Sequence, residues 1–338
     1  MIHQAGISGR LLAALVGQFV FAAWGCGGPG SGASSHAADL GEMAVPADNP
    51  QTEAKVSLGQ QLFFDERLSV DGTRACYTCH RNEHGNGGGE PTAIGALNRQ
   101  LTRHSPVIWN VGYMKRWYWD GRAASLEAQA TGAWSGGNMG VGREGLEAKA
   151  REIAAIAGYR EQFASVFPDR GVTPETIVQA IAAYERTLVC NFTRYDRFVS
   201  GDNEALTSQE QAGLDLFLGK AACATCHTPP FFSNQSATAE GAYFNTGIGI
   251  ADKPEADIDA GRMLVSGQES DWAAFKTPSL RNVSKSAPYF HDGSVGTLEA
   301  AVRFMAGGGY PNRNLSPLLM DRALTDEEVP LIVEFLGA

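Results

Sequence analysis

Two five-residue motifs constrain this chain more than any other feature. Cys76-Tyr77-Thr78-Cys79-His80 and Cys223-Ala224-Thr225-Cys226-His227 share the spacing Cys-x-x-Cys-His. That spacing is the attachment signal of a c-type haem. Two thiols one helical turn apart can each form a thioether to a vinyl group of one porphyrin. The histidine beside the second thiol then lies under the iron and offers its proximal nitrogen. A zinc knuckle or a redox dithiol uses a similar Cys pair, but zinc sites usually place the second pair closer in sequence. Two covalent haems are therefore expected, with Cys76, Cys79, Cys223 and Cys226 as attachment points and His80 and His227 as iron ligands. Two porphyrins also replace part of the side-chain core, which suits a loop-rich chain with 40 glycines.

The 338 residues, 43% of them hydrophobic, suffice for two domains, one haem in each. The net charge of −10 argues against a nucleic-acid partner. Residues 1–25 read as an export signal: Arg10 gives a positive start, and Leu11 to Trp24 is mostly apolar but short for a membrane span. Ala23-Trp24-Gly25-Cys26 is similar to the lipid-attachment box of bacterial lipoproteins. The reading is thus a periplasmic protein, with a leader over 1–26 and a lipid anchor at Cys26. Cys190 is read as a buried thiol rather than as the disulfide partner of Cys26. Residues 27–50, rich in Gly, Ser, Ala and Pro, read as a flexible tether carrying a solvated His36.

The remainder divides at a polar break over 200–208, giving domains at 51–200 and 201–338. Val56, Leu58, Leu62 and Phe63 recur at helical spacing from Thr52. A helix is expected from Ser125, and two more over 145–168 and 173–189, the last capped by Thr173 with Pro174 at its first position. Thr207-Ser208-Gln209-Glu210 has capping character and opens a helix with Leu214, Phe217 and Leu218. In both halves a helix precedes the haem motif, a weak internal repeat. Further helices are expected over 297–304 and from about 328 to 335. The fold class is mainly α and loop-rich, with two cytochrome c-like domains.

Longer motifs make a family resemblance specific. They are Leu58-Gly59 through Phe63-Phe64-Asp65, Tyr118-Trp119-Asp120-Gly121-Arg122, Ser125-Leu126-Glu127 with Gln129-Ala130, Glu185-Arg186-Thr187-Leu188, Pro278-Ser279-Leu280-Arg281-Asn282 and Tyr289-Phe290-His291-Asp292-Gly293. Over about residues 52–337 the chain resembles the bacterial dihaem cytochrome c peroxidases, a family that includes the methylamine-dehydrogenase maturases. The resemblance implies a peroxide-reacting first haem and an electron-accepting second haem. It implies Trp119 as the relay between them, Arg122 as a haem-contacting residue and Met305 as sixth ligand of the second iron, where the maturases have tyrosine. A core role for Trp119 is compatible with the relay. His291 reads as structural or propionate-contacting. The implied partners are hydrogen peroxide and a small electron donor, a cytochrome c or a cupredoxin. A homodimer is implied as well.

The chain also departs from the family. Where many members place a distal histidine ligand, it has Ala96, so the first haem is expected to keep an open face. His84 and His104 are nearby and read as non-ligands. The distal glutamate position carries Asn138, which can hydrogen-bond but cannot donate a carboxylic proton. Gln129 matches the active-site glutamine and can orient peroxide or water. An interdomain calcium is implied at the Ser286 and Pro288 carbonyls, but the third ligand position is His104, a poor calcium ligand.

Overall fold

Helix starts fall where the capping residues put them. Thr52, Ser125, Thr173, Thr193, Thr207 and Thr297 each accept a hydrogen bond from a backbone N–H in the first turn of the following helix. Those amides have no acceptor within the helix itself. In the computed structural model, which describes Cys26, residues 37–237 and residues 241–338, the helices are α1 (Glu53–Phe63), α2 (Cys76–Cys79), α3 (Leu126–Ser135), α4 (Leu146–Ala155), α5 (Ala157–Val166), α6 (Pro174–Glu185), α7 (Arg194–Val199), α8 (Ser208–Leu218), α9 (Met263–Ser266), α10 (Leu298–Ala306) and α11 (Glu328–Phe335). Strands β1 (Tyr243–Phe244) and β2 (Phe275–Lys276) pair antiparallel. The fold is mainly helical and loop-rich, as expected. The signal at 1–25, and residues 27–36 with His36, lie outside the described residues.

Each half buries a helix pair. In the first, α1 crosses α6 with α3 alongside, burying Leu58, Leu62, Phe63, Phe163, Ile177 and Ile181. In the second, α8 crosses α11 around Leu214, Phe217, Phe232 and Phe335. A Cβ at Gly59 would meet the Ala180 oxygen at 1.8 Å, and one at Gly213 would meet the Leu331 oxygen at 2.0 Å. Both crossings therefore need glycine. The halves are joined by Arg103, which pairs with Asp120 at 2.7 Å and reaches Asp259 at 2.6 Å. Arg281 of the second half closes on Asp196 of α7 at 2.7 and 2.8 Å, with both side chains buried.

Three sequence expectations are corrected. Cys26 and Cys190 form a disulfide. Cys190 is held for it by Asn110, which accepts from its N–H and donates to its carbonyl, while Trp109 packs on the pair. A sulfur in a disulfide carries no lipid, so Cys26 is not an anchor here and Cys190 is not a free thiol. Residues 37–50 are not a free tether: Ala38 N–H donates to Asn191, and Asn49 is buried, donating to Glu127 and to the Gln179 carbonyl. The single segment expected over 145–168 breaks at Ile156, whose ψ of 114° is extended. Smaller shifts affect two other helices. The helix expected over 173–189 stops at Glu185, and α10 runs on to include Met305.

Candidate haem sites

The second motif opens onto a cavity of about 230 Å³. Its walls include Cys223, Cys226, His227, Met305, Trp119 and Lys276. The His227 Nδ1 lies 3.1 Å from the Phe232 carbonyl. A carbonyl only accepts, so Nδ1 carries the proton and Nε2 keeps its lone pair for a metal. Burial holds this imidazole down at about 4, so it stays neutral near pH 7. Burial also lowers the Lys276 ammonium to about 8, and among the described residues no acidic side chain is paired with it. A mainly apolar cavity with two thiols, a neutral imidazole, a thioether and an unpaired ammonium suits a porphyrin bearing carboxylates.

At the first motif, Cys76 and Cys79 lie on α2, and burial pushes both thiols up. The His80 Nδ1 is buried beside the Asn86 and Pro106 backbone without a hydrogen-bond partner, and desolvation lowers this histidine to about 4. The two loops that carry the departures meet each other: Ala96 N–H donates to the Asn138 carbonyl at 2.9 Å. A Cβ on Gly95 would meet the Gly137 oxygen at 2.0 Å, so this contact requires glycine. Gln129 is half-buried on α3, and its carbonyl accepts from the Tyr118 hydroxyl at 2.8 Å. Arg122 lies 3.6 Å over the Tyr118 ring and bonds to Asp120 at 2.8 Å. It is absent from the walls of the second cavity.

Trp119 stands at the junction of the halves. It is buried, and its indole N–H donates to the His104 carbonyl at 2.8 Å. His291 stacks on Phe275 at 3.6 Å, and both rings line the second cavity. His104 gives its Nδ1 to the Glu90 carbonyl side, 2.9 Å away, and also lines that cavity with Ser286 and Pro288. Among the described residues no group of three or more His, Cys, Asp or Glu side chains is placed to hold a metal ion.

Residues 53–204 match the family described as di-haem cytochrome c peroxidase. Cytochrome-c peroxidase IdrP1 of Denitromonas iodatirespirans is 35% identical over 328 residues, covering 88% of this chain and 85% of that protein. The chain belongs to the di-haem cytochrome c peroxidase family. Methylamine utilization protein MauG of Methylophilus methylotrophus is 32% identical, over 87% of this chain and 84% of that one. A solved MauG-like protein associated with microbial copper homeostasis has a TM-score of 0.80 and 32% identity, covering 88% of this chain and 93% of its own. This is an oxidoreductase family with two c-type haems, and both Cys-x-x-Cys-His sites of this di-haem family member fit that cofactor.

Sequence reading missed a second repeat. His104-Ser105-Pro106-Val107-Ile108-Trp109-Asn110-Val111 and Lys276-Thr277-Pro278-Ser279-Leu280-Arg281-Asn282-Val283 keep one constant offset, as do Trp117 to Ala123 and Tyr289 to Val295. Asn110 and Asn282 both have φ 59°, and Tyr118 and Phe290 have φ 66° and 70°. Trp117 bridges Ala123 just as Tyr289 bridges Val295. The two copies exchange backbone bonds: His104 N–H donates to the His291 carbonyl, and Lys276 N–H to the Trp119 carbonyl, each at 2.7 Å. The signal was in the sequence as Pro-x-[Ile/Leu]-x-Asn-Val, found twice.

Proposed function

We propose that this protein is a periplasmic peroxidase that reduces hydrogen peroxide to water with electrons from a small redox protein, a cytochrome c or a cupredoxin. The observation that carries this reading is that His227 and Met305 line one cavity. A thioether ligand favours ferrous iron and raises its potential, which suits an electron-accepting site. Bound haem supplies the iron chemistry of electron storage and O–O cleavage. The chain supplies the rest. His80 and His227 present neutral nitrogens. Lys276 takes a haem carboxylate. Trp119, between the halves, is the relay. Ala96 brings only a methyl group to the first site, which leaves room for peroxide, and Gln129 and Asn138 orient it by hydrogen bonds. The disulfide supports an oxidising compartment, and no described helix is long and apolar enough to cross a membrane.

Steady-state oxidation of reduced cytochrome c by peroxide tests the proposal, together with an EPR spectrum of the oxidised holoprotein. A high-spin first haem, a low-spin second haem and turnover well above free haem are expected. Two low-spin centres, or turnover no faster than free haem, would overturn it. Asn138 in place of a carboxylate favours a second reading, peroxide-dependent oxidation of a partner protein. Product analysis on candidate partners separates the two.

A further inference from the structure

The helix pairs of the two halves follow one packing scheme and differ in their oxidisable residues. Where α1 meets α6, a Cβ at Gly59 would touch the Ala180 oxygen and then the Tyr184 Cβ at 3.0 Å. Where α8 meets α11, a Cβ at Gly213 would touch the Leu331 oxygen and then the Phe335 Cβ at 2.8 Å. The two glycines set the halves in register: Phe63-Phe64 answers Phe217-Leu218, and Tyr184 answers Phe335. The haem motifs add a third pair, Tyr77 and Ala224. Both tyrosines therefore stand in the first half, and the second half puts side chains that are hard to oxidise in their places.

The three first-half residues form a row. The rings of Phe64 and Tyr77 have centroids 4.6 Å apart at 35°, and Phe64 lies 6.4 Å from Tyr184. Tyr77 and Tyr184 are half-buried against the first core, but Phe64 is 45% exposed. Core packing explains the inner faces of the tyrosines and leaves the exposed ring without a reason. Covalent chemistry fixes one end of the row, because Tyr77 follows Cys76, an attachment point of the first haem. The other end meets solvent.

We propose that Tyr77, Phe64 and Tyr184 form a second electron entry to the first haem, taking electrons from small phenols at the surface without use of the second haem. A tyrosine can give up one electron and its phenolic proton together. Phenylalanine resists oxidation, so Phe64 bridges the two tyrosines and offers its face to a planar ring. Hydrogen peroxide is the oxidant: its O–O bond breaks, and two electrons and two protons turn it into two waters. Each electron leaves Tyr77 for the first haem, and the Tyr77 proton goes to solvent. Tyr184 refills Tyr77, and a phenol returns one electron and one proton to Tyr184. Two phenols thus become phenoxyl radicals per peroxide, and the protons they release match those consumed.

This inference rests on the reading of the first haem as the peroxide site, and the test separates the two. Oxidised holoprotein, Y77F, Y184F and F64L are mixed with hydrogen peroxide alone, frozen and studied by EPR. Haem content and optical spectra are measured alongside, and ring-deuterated tyrosine identifies the radical. Guaiacol is the phenol probe. The wild type should show a tyrosyl radical that guaiacol quenches. Y77F should lose this radical at full haem content, and guaiacol oxidation with it. Y184F and F64L leave the haem motif intact and should oxidise guaiacol several-fold more slowly. Suppose the wild type oxidises reduced cytochrome c with peroxide. Absence of a tyrosyl radical, a radical undiminished in Y77F, or guaiacol oxidation that survives its loss would then overturn this inference alone. No wild-type reaction with peroxide would overturn both readings. If Y77F loads no haem, Y184F decides: guaiacol oxidation at the wild-type rate overturns the inference.

Discussion

Trp119 and His291 hold equivalent positions in the two halves and meet edge to face, with ring centroids 6.4 Å apart at 69°. Each ring is fixed by the opposite copy of the repeat or by its own. The Trp119 carbonyl receives Lys276, the His291 carbonyl receives His104, and the indole N–H is anchored on the His104 carbonyl. An aromatic contact fixed on both sides makes a short, rigid bridge between the two halves of the chain.

Replacing Trp119 by Phe keeps a ring against His291 but removes the N–H donor. The buried His104 carbonyl then loses one partner while keeping its place, at a cost of about 1 kcal/mol. Haem content should be unchanged. After the second haem is reduced, electron arrival at the first should slow markedly. Rapid-mixing spectroscopy reads that rate, and an unchanged rate would remove Trp119 from the relay.

Met305 lies in the last turn of α10 and faces the cavity of His227. Met305→Leu conserves volume, so stability should change by less than about 1.5 kcal/mol. The second haem should pass from low to high spin and its reduction potential should fall, as expected when a thioether ligand is lost. EPR and a spectroelectrochemical titration measure both. A low-spin signal that survives the substitution would mean another sixth ligand.

The Cys26–Cys190 bond joins two cysteines 164 residues apart in sequence. Cys190→Ser should cost roughly 2–5 kcal/mol of stability, chiefly through the larger freedom of the unfolded chain. Limited proteolysis should then cut within residues 37–48 first, while the peroxide site keeps its spectrum. A denaturation midpoint unmoved by the substitution would show that the bond is not formed in solution.

What could be read from sequence follows the range of each interaction. The haem motifs and the Thr173 and Thr207 caps are set within a few residues, and the structure agrees with both caps. The disulfide joins a residue at the edge of a leader-like stretch to one far away, and no local spacing announces such a pair. The strap over 37–50 has the composition of a linker, yet single polar anchors hold it. Asn49, one such anchor, is visible only once Glu127 and Gln179 stand beside it. The Trp119–His291 contact needed the two copies of the repeat to be aligned, and their match is confined to a few residues each.

Arg281 and Asp196 form the most deeply buried ion pair described here, with side-chain exposures of 2% and 0%. The Arg281 guanidinium also donates to the Pro230 carbonyl, next to the second haem loop. Asp196→Ala strands a buried cation and should destabilise the protein by about 3–5 kcal/mol. The double replacement by apolar residues of similar size should restore much of that loss. A thermal scan of the three variants checks this, and a small effect of Asp196→Ala alone would show that water reaches the pair.

The buried Glu185 carboxyl, whose Oε2 has no hydrogen-bond partner, has a thermodynamic signature. In the folded protein Glu185 stands at about 8, above its ordinary 4.5. Between those values the native state holds a proton that the unfolded chain has lost, so stability falls as pH rises. The contribution is complete below the ordinary value and is lost as pH passes through about 8. A glutamine of the same shape cannot ionise, so E185Q lacks this decline. Wild type minus E185Q, measured as denaturation free energy of the oxidised holoprotein, should therefore fall from about pH 5 to about pH 8 and then level off. Groups common to both proteins largely cancel in the difference, apart from Arg186 and Glu127, which feel the carboxyl directly. A difference that is flat across this range would mean that Glu185 is ionised in the native state.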